Sequence, residues 1–365
     1  MKCIHCNTDS PYKERSNRTC PSCKRRFAFE PKDGDPFTDM AVQSAITRVS
    51  ANGTVRFLPQ HVYHELARGK GAKGSMRRRG FVVRWLLPLS GLFGLGGMAA
   101  AIANGLGAFV SVLALVPFAS FYIHAHRRRP GLRYTEAAFE DHWKRWTGTH
   151  GAPRGLIEPP KAPPQVTNAL NDELAEYSFD RAVVCDRPET VDVLLANDFH
   201  FENNCAVLTI DGYPRHASPT IRKMLRQNPK IHVFALHDCN RAGSQLATRL
   251  RTDPAWFKDF GTVVDVGLSP RHVDRMPYAW SPAHVSGLSP AMEVSDVRWL
   301  ESWEVSLFAV RPEQLVKRLY RAILAASAPK KPDDAVEAES DVGDLVELAL
   351  GEDSDASDGG DDGFG

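Results

Sequence analysis

Between Trp85 and Ile123 the sequence has no charged residue, and beyond Lys331 it has no lysine or arginine. The first absence excludes an ordinary surface helix for that stretch, because such a helix carries charge on its outer face. The second excludes the tail from contact with polyanions, since thirteen Asp and Glu lie between Asp333 and Asp362. Internal repeats are absent too, which excludes a solenoid or propeller. No cleavable signal precedes the first Cys-x-x-Cys, which starts at the third residue, so a reducing, cytosolic setting is expected for the cysteines.

What remains is a chain of 365 residues, enough for two or three modest domains. Without the tail's acids, the body carries 45 basic against 31 acidic residues. That balance attracts nucleic acid or anionic lipid head groups. The expected organisation is multidomain. It comprises a zinc ribbon (1–30), a small helical, winged-helix-like unit (36–69), a two-helix transmembrane hairpin (81–126) and an amphipathic helix with a Pro-rich linker (127–177). An α/β domain with a parallel sheet (178–328) and a disordered acidic tail (329–365) follow.

The hairpin is read from length and flanks. One helix from Trp85 to Ile123 would be about 58 Å long, twice what a bilayer core needs, so two spans turning at "NGLG" (104–107) fit better. The basic flanks "KGAKGSMRRR" and "HRRR" place both ends in the cytoplasm. The alternative is a buried helical hairpin of a soluble domain. The expected localisation is the inner (cytoplasmic) membrane, crossed twice, with both soluble parts cytoplasmic. Beyond the hairpin, "YTEAAFEDHWKRW" has apolar residues at helical spacing. It reads either as an interfacial helix with Trp143 and Trp146 at the head groups or as a helix packed on the next domain.

"CIHC" and "CPSC" place Cys3, Cys6, Cys20 and Cys23 in a Cys-x2-Cys-x13-Cys-x2-Cys pattern. Two knuckles of this kind grip one tetrahedral zinc ion in a closed, structural site. Disulfides are the alternative. Lys13, Arg15, Arg18, Lys24, Arg25 and Arg26 in the same segment suit nucleic acid, lipid or a protein. In the next segment, "LPQHVYHELAR" resembles the helix of topoisomerase VI A-subunit proteins that carries the DNA-attacking tyrosine. The resemblance puts Tyr63 near the nucleophile's place and His64 where a second aromatic would stand. A tyrosine on an amphipathic helix otherwise reads as packing.

Four apolar runs, "RAVVC" (181–185), "CAVLTI" (205–210), "IHVFAL" (231–236) and "GTVVDV" (261–266), alternate with helical patterns. This is the rhythm of a parallel sheet, whose chemistry gathers at the strands' carboxyl ends. Asp186, Asp211, Asp238, Asn240 and Asp265 sit there. In the order "DRPETVDVL", "IDGYPR", "DCNRAG", "DVGLSP" the segment resembles a Toprim domain, in the version found in topoisomerase VI A subunits and related meiotic break-forming proteins. The resemblance implies Mg2+ bound by Asp186, Asp238 and Asn240, and Mg2+-dependent DNA cleavage by Asp186, Glu189 and Asp238. Arg187, Arg215, Arg222 and Arg241 would contact nucleic acid. Asp186 is one methylene shorter than the family's Glu, however, and Asn240 is neutral where the family has Asp. A hard cation loses attraction with each missing carboxylate. As a plain structural alternative, Asp186 and Asp238 are helix N-caps after their strands.

Three functions follow as expectations. The first is a nucleic-acid-associated binding or sensing component of a larger assembly, such as a defence system, with a damaged Toprim-like centre. The second is an active Mg2+-dependent nuclease or topoisomerase-like enzyme. The third is a membrane scaffold whose Toprim-like fold binds a protein. The expected partners are the membrane, DNA, and proteins of the assembly, an ATPase among them. In the tail, "DLVELAL" (344–350) is a short amphipathic patch suited to docking. The rest reads as a solvating or polyanion-mimicking segment.

Overall fold

Successive side chains of a strand point to opposite faces, and here both faces are covered. Strands β1 (Arg181–Cys185), β2 (Cys205–Thr209), β3 (His232–Leu236) and β4 (Thr262–Asp265) form one parallel sheet in the order β2-β1-β3-β4. Val183, Cys185, Cys205, Val207, Phe234 and Leu236 belong to one apolar core. Their neighbours Ala182, Val184, Ala206, Leu208, Val233 and Ala235 belong to the other. Continuous apolar runs are what two buried faces require. The computed structural model describes residues 1–68, 134–158 and 179–327, apart from 216–217, 229, 259–260, 275 and 285–293.

Helices of opposite sides complete the two cores. Pro188–Ala196 contributes Val191 and Leu194 to the first core, and the closing helix Pro312–Ser327 contributes Leu315, Leu319 and Ile323. Ser218–Gln227 and Leu246–Thr252 supply Leu225, Leu246 and Leu250 to the second. From β1 the chain steps outward to β2, then crosses back to β3 on the other side of β1. The order therefore reverses between β1 and β3, and the crevice beyond their carboxyl ends lies at that reversal.

The amino-terminal part has its own core. Helix α1 (Asp39–Val49) is capped by Thr38, whose side chain accepts from the Ala41 N–H. A turn with Ala51, Asn52 and Gly53 at positive φ leads to Phe57 and to a second helix over 59–68, α2. Phe29, Phe37, Val42, Ile46, Phe57, Val62 and Tyr63 pack together with Phe139 and Trp146 of helix α3 (Glu136–His150). Helix α3 is thus a helix of this unit: it packs on the amino-terminal core that precedes it, not on the next domain as the packing reading had it. Among the described residues, the 54–57 stretch pairs only at Phe57, in a parallel bridge to Leu156.

The two parts meet through polar contacts. Asn197 exchanges hydrogen bonds of 2.7 and 3.0 Å with the backbone of Arg56. Buried Glu65 of α2 accepts from Arg48 at 2.6 Å and from Arg311 at 3.0 Å.

The expected transmembrane hairpin is corrected here. Among the described residues no helix is long and apolar enough to cross a membrane. The described architecture therefore contains no membrane-spanning unit, and the expected two-span, inner-membrane localisation finds no support in it. Residues 81–126, which carried the expectation, lie outside the described residues, as do most of the Pro-rich linker and the acidic tail. The expectation rested on the run's length, its lack of charge and its basic flanks, and these local features do not by themselves fix a run's surroundings.

Candidate functional site

Two sites emerge. In the first, each cysteine pair sits in the same local turn. The Asn7 N–H bonds to the Cys3 carbonyl at 2.9 Å and the Lys24 N–H to the Cys20 carbonyl at 3.0 Å, with Asn7 and Lys24 both at positive φ. The turns bring Cys3 Sγ to 3.6 Å from Cys23 Sγ and Cys6 Sγ to 3.6 Å from Cys20 Sγ. All four sulfurs lie within 4.8 Å of one another, so they can hold one metal ion. Sulfurs around a tetrahedral ion with bonds near 2.3 Å are separated by about 3.8 Å, so the donor set fits. The Thr8 hydroxyl and N–H lower the Cys6 thiol to about 6, and burial pushes Cys3 up to about 11. The cysteines are free thiols, not disulfides.

The ribbon's basic residues divide. Arg15 is buried and grips Glu30 with Nε and Nη2 at 2.8 and 3.1 Å, while its other Nη meets the Ser10 carbonyl. Arg18 pairs with Asp33 at 3.1 Å and Asp35 at 3.5 Å. Lys13, Lys24, Arg25 and Arg26 remain exposed.

The second site lies at the reversal between β1 and β3. Cys185 pairs in register with Leu236, so Asp186, one residue beyond β1, and Asp238, two residues beyond β3, emerge close together. Asp186 Oδ2 accepts from the Asp238 N–H at 2.9 Å. Asp238 Oδ1 accepts from the Leu307 N–H at 2.7 Å. Arg187 Nε stands 2.8 Å from Asp238 Oδ2, outside hydrogen-bond geometry, so that oxygen has an ion-pair partner and no hydrogen bond. Asp186 Oδ1 is buried with no hydrogen-bond partner. Burial, then the charge of Asp186, push Asp238 up to about 6 against the pull of Arg187. Burial raises Asp186 as well, although the Asp238 N–H works the other way.

Behind this pair lies His237, which is buried. Its Nδ1 is 2.7 Å from the Asp238 carbonyl and its Nε2 is 3.0 Å from Asp265 Oδ1. Both neighbours are acceptors, an arrangement that both ring nitrogens satisfy only when the ring is protonated. Burial by itself lowers the imidazole. The Asp265 hydrogen bond and charge, with the Asp238 carbonyl and the Asp186 charge, outweigh it and raise the value. Two glycines make room: a Cβ on Gly243 would collide with the Asp238 carbonyl, and one on Gly267 with the His237 ring.

The expected site residues are therefore partly brought together. Asp186, Asp238 and Arg187 converge. Glu189 is exposed at the mouth, and the carboxylates of Asp186, Glu189 and Asp238 do not all lie within 4.8 Å of one another. Asn240 Oδ1 accepts from the Gly243 N–H at 2.7 Å, a capping bond at the start of the following helical turn. Arg241 lies at the mouth, 3.6 Å from Glu301. Arg222 is elsewhere: its guanidinium stacks over Trp256 at 4.6 Å and donates to the Ala255 carbonyl. Arg215 is exposed and lines no part of this cleft.

A cleft of about 660 Å³ opens over Asp238, between the strand ends and α2. Gln60, Tyr63 and His64 line it from the helix side. Tyr63 is buried, its hydroxyl donates to the Tyr134 carbonyl at 2.8 Å, and burial pushes its pKa up to about 12. That hydroxyl is a packing group. Sequence reasoning missed the contact that the 303–308 segment makes with Asp238. Val305 exchanges two 2.9 Å backbone bonds with Cys239, which sets the Leu307 N–H on Asp238. No local pattern announces a contact over so long a separation. No protein-family model, no curated protein and no solved structure matches this chain.

Proposed function

We propose that the chain is a nucleic-acid-associated binding or sensing component of a larger assembly, built on a Toprim-like domain that works without a catalytic metal. One observation carries this: groups of the protein itself engage the expected Mg2+ cradle. Leu307 and Arg187 face the two oxygens of Asp238, the Asp238 N–H holds one oxygen of Asp186, and the Gly243 N–H holds Asn240. The buried His237 ring, when protonated, and a guanidinium supply the positive charge that a magnesium ion would otherwise bring to paired carboxylates.

Zinc is the ion we assign to the four cysteines, held by Cys3, Cys6, Cys20 and Cys23. It would supply folding free energy and no reaction, because four thiolates close its coordination shell. The exposed Lys13, Lys24, Arg25 and Arg26 on this ribbon are the surface we assign to phosphate contacts.

A second reading has an observation of its own. Asp186 Oδ1 and Asp238 Oδ2 are buried without hydrogen bonds, and both carboxyls are raised, as happens where a cation is wanted. That favours Mg2+-dependent cleavage by Asp186, Glu189 and Asp238. The full chain, assayed with Mg2+ or Mn2+ on supercoiled and single-stranded DNA beside Asp238→Ala, separates the two. Salt-dependent binding without cleavage is expected. Cleavage that Asp238→Ala abolishes would overturn the proposal in favour of the enzyme, and no binding at all would overturn it in favour of a protein-binding scaffold.

A further inference from the structure

The cleft over Asp238 is the wrong shape of charge for a phosphate. Glu136, Glu189, Asp238 and Glu304 line it against Arg187, Arg241 and His284, whose Nδ1 is 2.7 Å from Glu304 Oε1. Arg187 already faces Asp238 and Arg241 faces Glu301. Glu136 and Glu189 are exposed at the mouth and have no ion-pair partner among the described residues. The cleft is therefore net negative although the body around it is basic.

Its hydrogen-bonding groups agree. His64 is 6 % exposed, lines the cleft, and has no partner at Nδ1. Gln60 Oε1 lines the same space and is also without a hydrogen bond, and Asp238 Oδ2 has only its ion pair to Arg187. Buried polar atoms in folded proteins are nearly always partnered, so unpartnered acceptors around one cavity mark what is absent from it. Here two are oxygens that can only accept. Burial lowers His64 to about 4, so its ring is neutral and offers one acceptor nitrogen. The walls add the rings of Tyr63 and Phe308, a surface on which cations are stabilised.

We propose that this cleft binds an organic cation, a guanidinium or ammonium group, whose N–H donors satisfy Gln60, His64 and Asp238 while Glu136 and Glu189 hold its charge. The volume suits a basic side chain with its flanking backbone. The proposal rests on the reading that no metal ion occupies the Asp186–Asp238 pair.

Calorimetry on the full chain tests it with four titrants: an acetylated and amidated tripeptide with a central arginine, its citrulline counterpart, agmatine, and a short DNA duplex. The arginine peptide should bind about tenfold tighter than the neutral citrulline peptide. Glu136→Gln with Glu189→Gln, both exposed positions outside the core, should weaken it about fivefold. Agmatine binding as tightly as the peptide would identify a free amine as the ligand, and weaker binding a basic segment of a protein; either supports the proposal. Equal affinity for arginine and citrulline peptides, no binding, or binding unchanged in the double variant would overturn it, as would displacement of the peptide by the duplex in that variant and the wild type alike. A separate Mg2+ titration distinguishes the underlying reading. Mg2+ binding that Asp238→Asn abolishes would overturn the metal-free cradle, whereas no Mg2+ binding together with a failed peptide titration overturns the organic-cation proposal alone.

Discussion

Replacing Asp238 by Asn should make the protein more stable at neutral pH, not less. Asp238 is 1 % exposed and its carboxyl is raised from 3.8 to about 6, first by burial and then by the charge of Asp186. Keeping it ionised at pH 7 therefore costs the folded state about 3 kcal/mol relative to the unfolded chain. Asparagine keeps the shape and an oxygen for the Leu307 N–H, and it removes the repulsion from Asp186. It gives up the ion pair to Arg187, whose attraction is already included in the raised value. The gain expected is about 1 to 3 kcal/mol at pH 7, the lower end allowing for an amide that fits Arg187 less well. The sign reverses the usual carboxylate case. Because the folded protein binds this proton more tightly than the unfolded chain, wild-type stability from this group rises as pH falls through 6 and levels off below about 4. The advantage of the variant should shrink over the same interval. Urea unfolding followed by tryptophan fluorescence from pH 4 to 8, at matched m-values, measures both. A variant less stable than wild type at pH 7, or a difference that does not change between pH 7 and 4, would refute the account of Asp238 as an ion held at a cost.

Three further outcomes follow. Gly267→Ala should drive the His237 ring off Asp265 and destabilise the α/β unit by about 2 to 4 kcal/mol, read from the same urea curves. Cys20→Ser, or a strong chelator, should strip the metal and expose residues 1–30 to protease while leaving the α/β core protected; metal analysis should give one zinc per chain before treatment and none after. Tyr63→Phe should cost about 1 kcal/mol through the lost bond to the Tyr134 carbonyl and leave any action on DNA unchanged, since that hydroxyl is tied to backbone.

The sequence by itself determined what local pattern encodes. Continuous apolar runs marked the four strands of the parallel sheet to within a residue or two, because β1, β2 and β3, covered on both faces, leave no room for a polar alternation; the edge strand β4 is only partly buried. Two Cys-x-x-Cys pairs marked the sulfur cluster, because each knuckle is a tight turn whose geometry the spacing fixes. The tertiary structure alone decided what those residues do together. Asp186 and Asp238 are neighbours only because the strand order reverses between β1 and β3. The partners of Asp238 come from Leu307 and Arg187, and the roof of its cleft from helix 59–68. His237 reads in the sequence as one more polar residue after a strand. Its hydrogen bond to Asp265, which raises its pKa, exists only because β4 lies beside β3. Periodicity reports which way a side chain points along its own element. The charge at a site depends on groups brought in from elements far apart in the chain, and that is a property of the folded protein.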